Sequence, residues 1–336
     1  MIPSIVYNVL ILFLMMIPGV IMKKRRLAPE GFGKGLSNMV LYIAQPALVF
    51  LAYVREFSME ILINSLWIVL FAALSHLIFA VVSLSLFNRA EDAKRRMLRM
   101  ATIFSNAAFM GIPLIGAVLG DDALIYASMY NIVFNLFLWS LGVNICTADK
   151  KEVDTIGIEK HEIVIKSEHK SSFIKAILHP VTIAAALGLV FFFTPANRFL
   201  GDSSYIGGII ADAFSMLKAL VAPLSMIVIG IRLADIDFKG FFSDKYLYLF
   251  LALRHFILPI AVGFLVRLLM LAPLGITADV LNVVVILACA PAASSATMFA
   301  EMYDCDSAYV SKLVAVSTIL CILTMPAVIF LTTIGL

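Results

Sequence analysis

Asn106, Gly111, Ile112 and Pro113 fall inside one strongly apolar stretch, SNAAFMGIPLIG at 105–116. Pro291, Ala292, Ser294 and Ser295 fall inside another, ACAPAASSATMF at 288–299. In each, helix-breaking residues interrupt sequence that stays apolar on both sides. Proline removes a backbone donor and clashes with the preceding turn, and glycine weakens it. A helix that restarts after such a break presents N–H groups with partial positive charge. The restarts are predicted near Gly111–Leu114 and at Ala292–Ser295. Two such helix starts aimed at one point hold a carboxylate without any basic side chain. Asn106 adds an amide donor and acceptor beside the first break; it also suits capping the half-helix before it, and the two roles are compatible.

Other polar residues at membrane depth extend this list. Asn131 and Asn135 are four apart, hence on one helical face, with Tyr126 and Tyr130 on the adjoining stripe. Such an amide pair either lines a cavity or hydrogen-bonds a neighbouring helix. Ser294 and Ser295 present the same choice, since a serine hydroxyl also bonds back to a preceding carbonyl. Charged side chains inside apolar spans are few, which makes each informative. Arg254 beside His255 is either functional or a tether that snorkels to the interface. Lys218 either draws anions or pairs with a carboxylate. His76 is either a titrating group or a packing residue. Gln45 joins these three as a supporting residue. The four cysteines are scattered and suggest neither a disulfide framework nor a metal site.

The elements that must position these residues are membrane helices. Hydrophobic residues make up 62% of the 336 and charged ones 14%, more apolar surface than a soluble domain of this length can bury. The apolar runs give ten spans, about 4–22, 36–53, 61–87, 98–119, 122–146, 173–193, 206–231, 246–271, 279–300 and 307–335. The first ends in Lys23-Lys24-Arg25-Arg26 with no small-residue cleavage site and is expected to stay as a helix. Basic residues crowd the odd-numbered connections, while the even-numbered ones hold only Arg55 and Arg198. The odd connections are therefore expected in the cytoplasm and both termini outside. The polar, charge-mixed segment 147–172 reads as a linker. It separates a first five-span unit, 1–146, from a second, 173–336. Five crossings invert the second unit relative to the first, as an inverted repeat requires. Weak internal likeness agrees: aligning Asn106 with Pro291 also matches Ala107-Ala108 with Ala292-Ala293 and Asp121 with Asp306.

An ordered set of segments resembles the auxin efflux carrier family, which includes plant PIN carriers and bacterial malate-permease-like proteins. These are LSNMVLYIAQPALVF at 36–50, SNAAFMGIPLIGAVLGDDALIYASMYNIVFNLFLWSLGV at 105–143, APLSMIVIGIRLAD at 222–235, LRHFILPI at 253–260 and ACAPAASSATMFAEMY at 288–303. The resemblance implies an all-α integral membrane protein of ten helices in two inverted repeats, with broken crossover helices four and nine. It further implies a scaffold of spans one, two, six and seven, through which a homodimer forms. Spans three to five and eight to ten would then make a moving transport unit for organic anions. It puts an asparagine at the crossover, matching Asn106, and a recurring basic position at Arg254. One departure stands out. Plant members carry a buried acid in span three, whereas here that span has only Asn64 and His76 as strongly polar groups, which puts proton coupling by that route in doubt.

The expectation is thus a secondary transporter for a small organic anion such as a carboxylate, working as exporter or exchanger by moving the crossover past a scaffold in the cell membrane. No cofactor, metal or nucleic-acid partner is expected; the anion and membrane lipid are the partners. A membrane sensor would need a signalling segment that 147–172 does not supply. An intramembrane enzyme would need clustered acids or a nucleophile–base pair, and neither is present. A channel differs by its faster, unsaturated flux.

Overall fold

The computed structural model describes residues 2–148, 174, 177–200, 205–236 and 241–334. All but two residues of the expected linker at 147–172 lie outside them. The described residues are helical, with no strand. In chain order the principal helices are α1 (Pro3–Lys24), α2 (Phe32–Tyr53) and α3 (Met59–Leu86), then α4 (Asp92–Ile103), α5 (Ala107–Leu119), α6 (Asp121–Thr147), α7 (Pro180–Phe193), α8 (Tyr205–Ala234), α9 (Lys245–Met270) and α10 (Ala278–Cys289). Two more complete the set, α11 (Ser294–Met302) and α12 (Ser307–Thr333).

By length and composition seven of these are able to cross a bilayer, namely α1, α2, α3, α6, α8, α9 and α12, while α5, α7 and α10 are shorter apolar helices. The difference from ten full-length spans has a local cause. The predicted spans 98–119 and 279–300 are each split, into α4 with α5 and α10 with α11. The predicted span 173–193 is a described helix only from Pro180.

Three prolines shape their helices in the same way. Wide turns of π type at Val40–Ala44, Ala107–Gly111 and Leu253–Ile257 each end two residues before a proline, at Pro46, Pro113 and Pro259. A proline ring clashes with the carbonyl four residues back in regular α geometry. Widening the preceding turn moves that carbonyl aside and keeps the helix running. In α9 the wide turn also buries both Arg254 and His255, which are sequence neighbours.

Packing falls into two sets. In one, α1 lies along the second half of α8, and α2 packs on α7 and on the first half of α8. The α1–α8 contact is backbone to backbone: a Cβ at Gly230 would sit 2.1 Å from the Met16 carbonyl oxygen, and one at Gly19 2.2 Å from that of Ile227. Small residues that let helices touch are the usual adhesive where lipid removes the hydrophobic drive. In the other set α3 packs on α6, α9 on α10, and α10 and α11 on α12. The split segments α4–α5 and α10–α11 meet inside this second set, at the surface it turns toward the first.

Candidate functional site

The two breaks cross and pair. After α4 the chain extends through Phe104, and after α10 it extends through Ala290. There the Asn106 N–H donates to the Pro291 carbonyl at 2.7 Å and the Ala293 N–H donates to the Phe104 carbonyl at 2.9 Å. Together they form an antiparallel bridge between Ser105 and Ala292. An unsatisfied backbone group in hydrocarbon costs several kcal/mol. Here each break satisfies part of the other, which leaves fewer groups for solvent or solute than two independent gaps would.

The carbonyl ends of the first half-helices are held by side chains. Arg254, with no exposed surface, donates through Nη1 to the Thr102 carbonyl at 3.2 Å and through Nη2 to the Ala290 carbonyl at 2.6 Å. Its guanidinium lies 5.3 Å from the centre of the Phe79 ring. Arg254 therefore does not snorkel; it is a tether between the two breaks. His255 sits between Thr324 and Ser317, at 2.9 and 2.8 Å. The Ser317 hydroxyl in turn accepts the Ala292 N–H at 2.9 Å. Because Thr324 donates its own proton to the Leu320 carbonyl, it accepts from His255 Nδ1–H, leaving Nε2 to accept from Ser317.

The helix starts face the other way, into a cavity of about 740 Å3 between the two packing sets. Asn106, Ala108 and Phe109 line it from the start of α5, and Ala293, Ser294 and Ser295 from the start of α11. Asn106 Nδ2 donates to Ser294 Oγ at 3.4 Å, joining the two starts. Asn131 and Asn135 of α6 line the same cavity, and Asn135 Nδ2 donates to the Asn131 carbonyl at 2.9 Å. From the first set Gln45 donates to the Ala108 carbonyl at 2.9 Å. Arg232 donates to the Ser294 carbonyl at 3.0 Å and to Ser37 Oγ at 3.4 Å. Among the described residues the buried Asn131 Oδ1 and Ser295 Oγ find no hydrogen-bond partner. The cavity runs from this buried end to an exposed rim at Lys34, Asn38 and Glu301. Four basic side chains line it (Lys23, Lys34, Arg232 and Lys312) against two acidic ones (Asp235 and Glu301). Lys23 is paired with Asp235 at 2.9 Å.

A family profile described as "Membrane transport protein" matches residues 4–329. The chain belongs to that family, the auxin efflux carriers. No curated protein matches it. Membership makes the chain a membrane transporter, and its long apolar helices fit a multi-pass membrane protein.

Within this auxin efflux carrier family member, the predicted site residues divide. Asn106, Asn131, Asn135, Ser294, Ser295 and Gln45 share the cavity wall. Gly111, Ile112, Pro113, Pro291 and Ala292 are buried in the crossover without lining it. His76 is enclosed by the rings of Phe104, Tyr130, Phe134 and Phe137, with Nδ1 2.7 Å from the Ala72 carbonyl. Lys218 pairs with Asp121 at the end of the molecule away from the cavity rim. Beside that pair Arg55 holds Asp122 at 3.1 Å. Among the described residues no three His, Cys, Asp or Glu side chains converge on a metal-sized point. Sequence reasoning missed Arg232 and Ser317. In the sequence Arg232 reads as one of the basic residues of an odd-numbered connection, although it lies within the run APLSMIVIGIRLAD.

Proposed function

We propose that this membrane transport protein is a secondary carrier of small organic anions. The observation that carries the proposal is the meeting of two helix starts with Asn106, Asn131 and Ser295 at the buried end of a cavity with a basic rim. The two starts supply roughly one positive charge between them as partial charges on free N–H groups. That matches one carboxylate. The unpartnered Asn131 Oδ1 is an acceptor, so the fitting anion also carries a hydroxyl or N–H donor. The rim cations raise the local concentration of anions before they reach the crossover.

In this reading the chain makes ten crossings in two inverted five-helix repeats. The set of α1, α2, α7 and α8 is the scaffold, and the set around α3–α6 and α9–α12 is the moving unit. With the basic loops in the cytoplasm, the cavity faces inward and both termini lie outside. The outward side of α1 exposes Tyr7, Leu10, Leu14, Ile17 and Ile21, spaced by three and four residues, a stripe that suits a second scaffold in a homodimer. With the interior negative by about 100 mV, each negative charge that leaves gains about 2.3 kcal/mol. An uncoupled carrier of this design therefore exports or exchanges its anion.

The test is a melting-temperature screen of organic acids on purified protein, followed by counterflow in proteoliposomes with the best ligand. Asn106→Ala is expected to fold and to lose the ligand-induced shift. An equal shift in that variant would remove Asn106 from the site, and the absence of any response across mono- and dicarboxylates would end the anion reading.

A further inference from the structure

We propose that Arg254 is a built-in counter-cation that fills the place of a coupling ion, so that this carrier operates without sodium. In carriers with interrupted helices, the carbonyl ends of half-helices are where a coupling cation binds. Here those ends converge on one guanidinium. Thr102 at the close of α4 and Ala290 just past α10 both give their carbonyl oxygens to Arg254. Each helix end carries roughly half a negative charge, and the two together match the single positive charge of one arginine.

Three further observations fit a resident cation rather than an ion-pair partner. Among the described residues no carboxylate forms an ion pair with Arg254, so its charge is answered by backbone dipoles and by the Phe79 ring. It is fully buried and fixed on both sides. Its neighbour His255 reaches, through Ser317, the N–H of Ala292 in the same break, so one wide turn of α9 serves both faces of the crossing. A guanidinium keeps its charge across the physiological range, and a second cation would meet both repulsion and an occupied site. The balance of the crossover follows. Arg254 cancels the two negative ends, the two positive ends remain on the cavity side, and the anion moves as a net charge.

This inference goes beyond the transport reading and does not depend on which anion is carried. The test therefore uses the unliganded full chain. Melting temperatures of wild type, Arg254→Gln and Arg254→Lys are measured in sodium, potassium and choline chloride at equal ionic strength. Wild type and Arg254→Lys are expected to melt alike in all three salts. Arg254→Gln is expected to melt lower in choline and to recover by several degrees in sodium, since an ion that binds only the folded state stabilises it. Low-millimolar guanidinium is expected to recover Arg254→Ala in the same way. A wild-type protein that melts higher in sodium than in choline would overturn the proposal, even if no variant folds. An Arg254→Gln protein that is destabilised yet indifferent to sodium would also overturn it, leaving Arg254 a structural tether. Failure of the anion reading would appear instead as a silent ligand screen, with these melting differences intact.

Discussion

Replacing Asn131 with leucine separates site from scaffold, because two readouts should move in opposite directions. Asn131 is only 2% exposed and its Oδ1 finds no partner among the described residues. A buried polar atom without a partner costs about 1–3 kcal/mol, and an apolar side chain of similar shape removes that cost. With an average unfolding entropy per residue, a chain of 336 residues shifts its midpoint by about 1.4 °C per kcal/mol. Unliganded Asn131→Leu is therefore expected to melt about 1–4 °C higher than wild type. The same change deletes the neutral hydrogen bond from the ligand's hydroxyl or N–H donor, worth about 0.5–1.5 kcal/mol, so affinity should fall about 2- to 13-fold. Differential scanning fluorimetry with and without the best organic acid measures both in one experiment. A variant that melts lower while binding as tightly as wild type would make Asn131 a packing residue and refute the reasoning.

Two further substitutions test the surfaces that the proposed motion uses. Gly230→Ala puts a methyl group against the Met16 carbonyl, where a Cβ would stand at 2.1 Å, so a helix backbone must shift to admit it. It should destabilise by about 1–3 kcal/mol, as overpacking does, while the surviving folded fraction keeps its ligand response; an unchanged melting temperature would mean that α1 and α8 part easily. Lys218→Met removes the ion pair with Asp121, whose side chains are 21% and 69% exposed. So exposed a pair is worth at most about 1 kcal/mol, or roughly a fivefold change in population. If the pair holds the far end shut, maleimide labelling of an Asn38→Cys rim reporter should slow by up to that factor, and unchanged labelling would assign the pair to local surface charge.

The breaks were legible in the sequence because proline and glycine within apolar runs have few other readings. Asn106 and the Asn131–Asn135 face were legible because amides in such runs require a reason. The length of the apolar runs located most of the membrane helices to within a few residues at their ends, since charge clusters mark them. Other features depend on partners distant in sequence. The pairing of Asn106 with Pro291 joins backbone atoms, which carry no residue-specific signal. For Arg254 the sequence left open a functional role and a snorkelling tether, because depth within a helix does not reveal that two carbonyl ends lie beside it. Arg232 was hidden by its neighbours: at the end of a span, next to Asp235 and ahead of Lys239, it reads as one more cytoplasmic charge. The partner of Lys218 could not be chosen from sequence, as Asp121 is 97 residues away.

The short bridge between Ser105 and Ala292 also bears on how smoothly cargo would travel. Because two segments far apart in the chain are stitched together at their narrowest point, neither half of the cradle can lag behind the other during a displacement. In the proposed motion, solute and cradle would shift as a single load, with the same grip on the solute along the path. Resistance to the motion would arise at the sliding flanks, where Gln45 and Arg232 reach across to Ala108 and Ser294, and those few contacts are where speed could be adjusted without altering what is recognised.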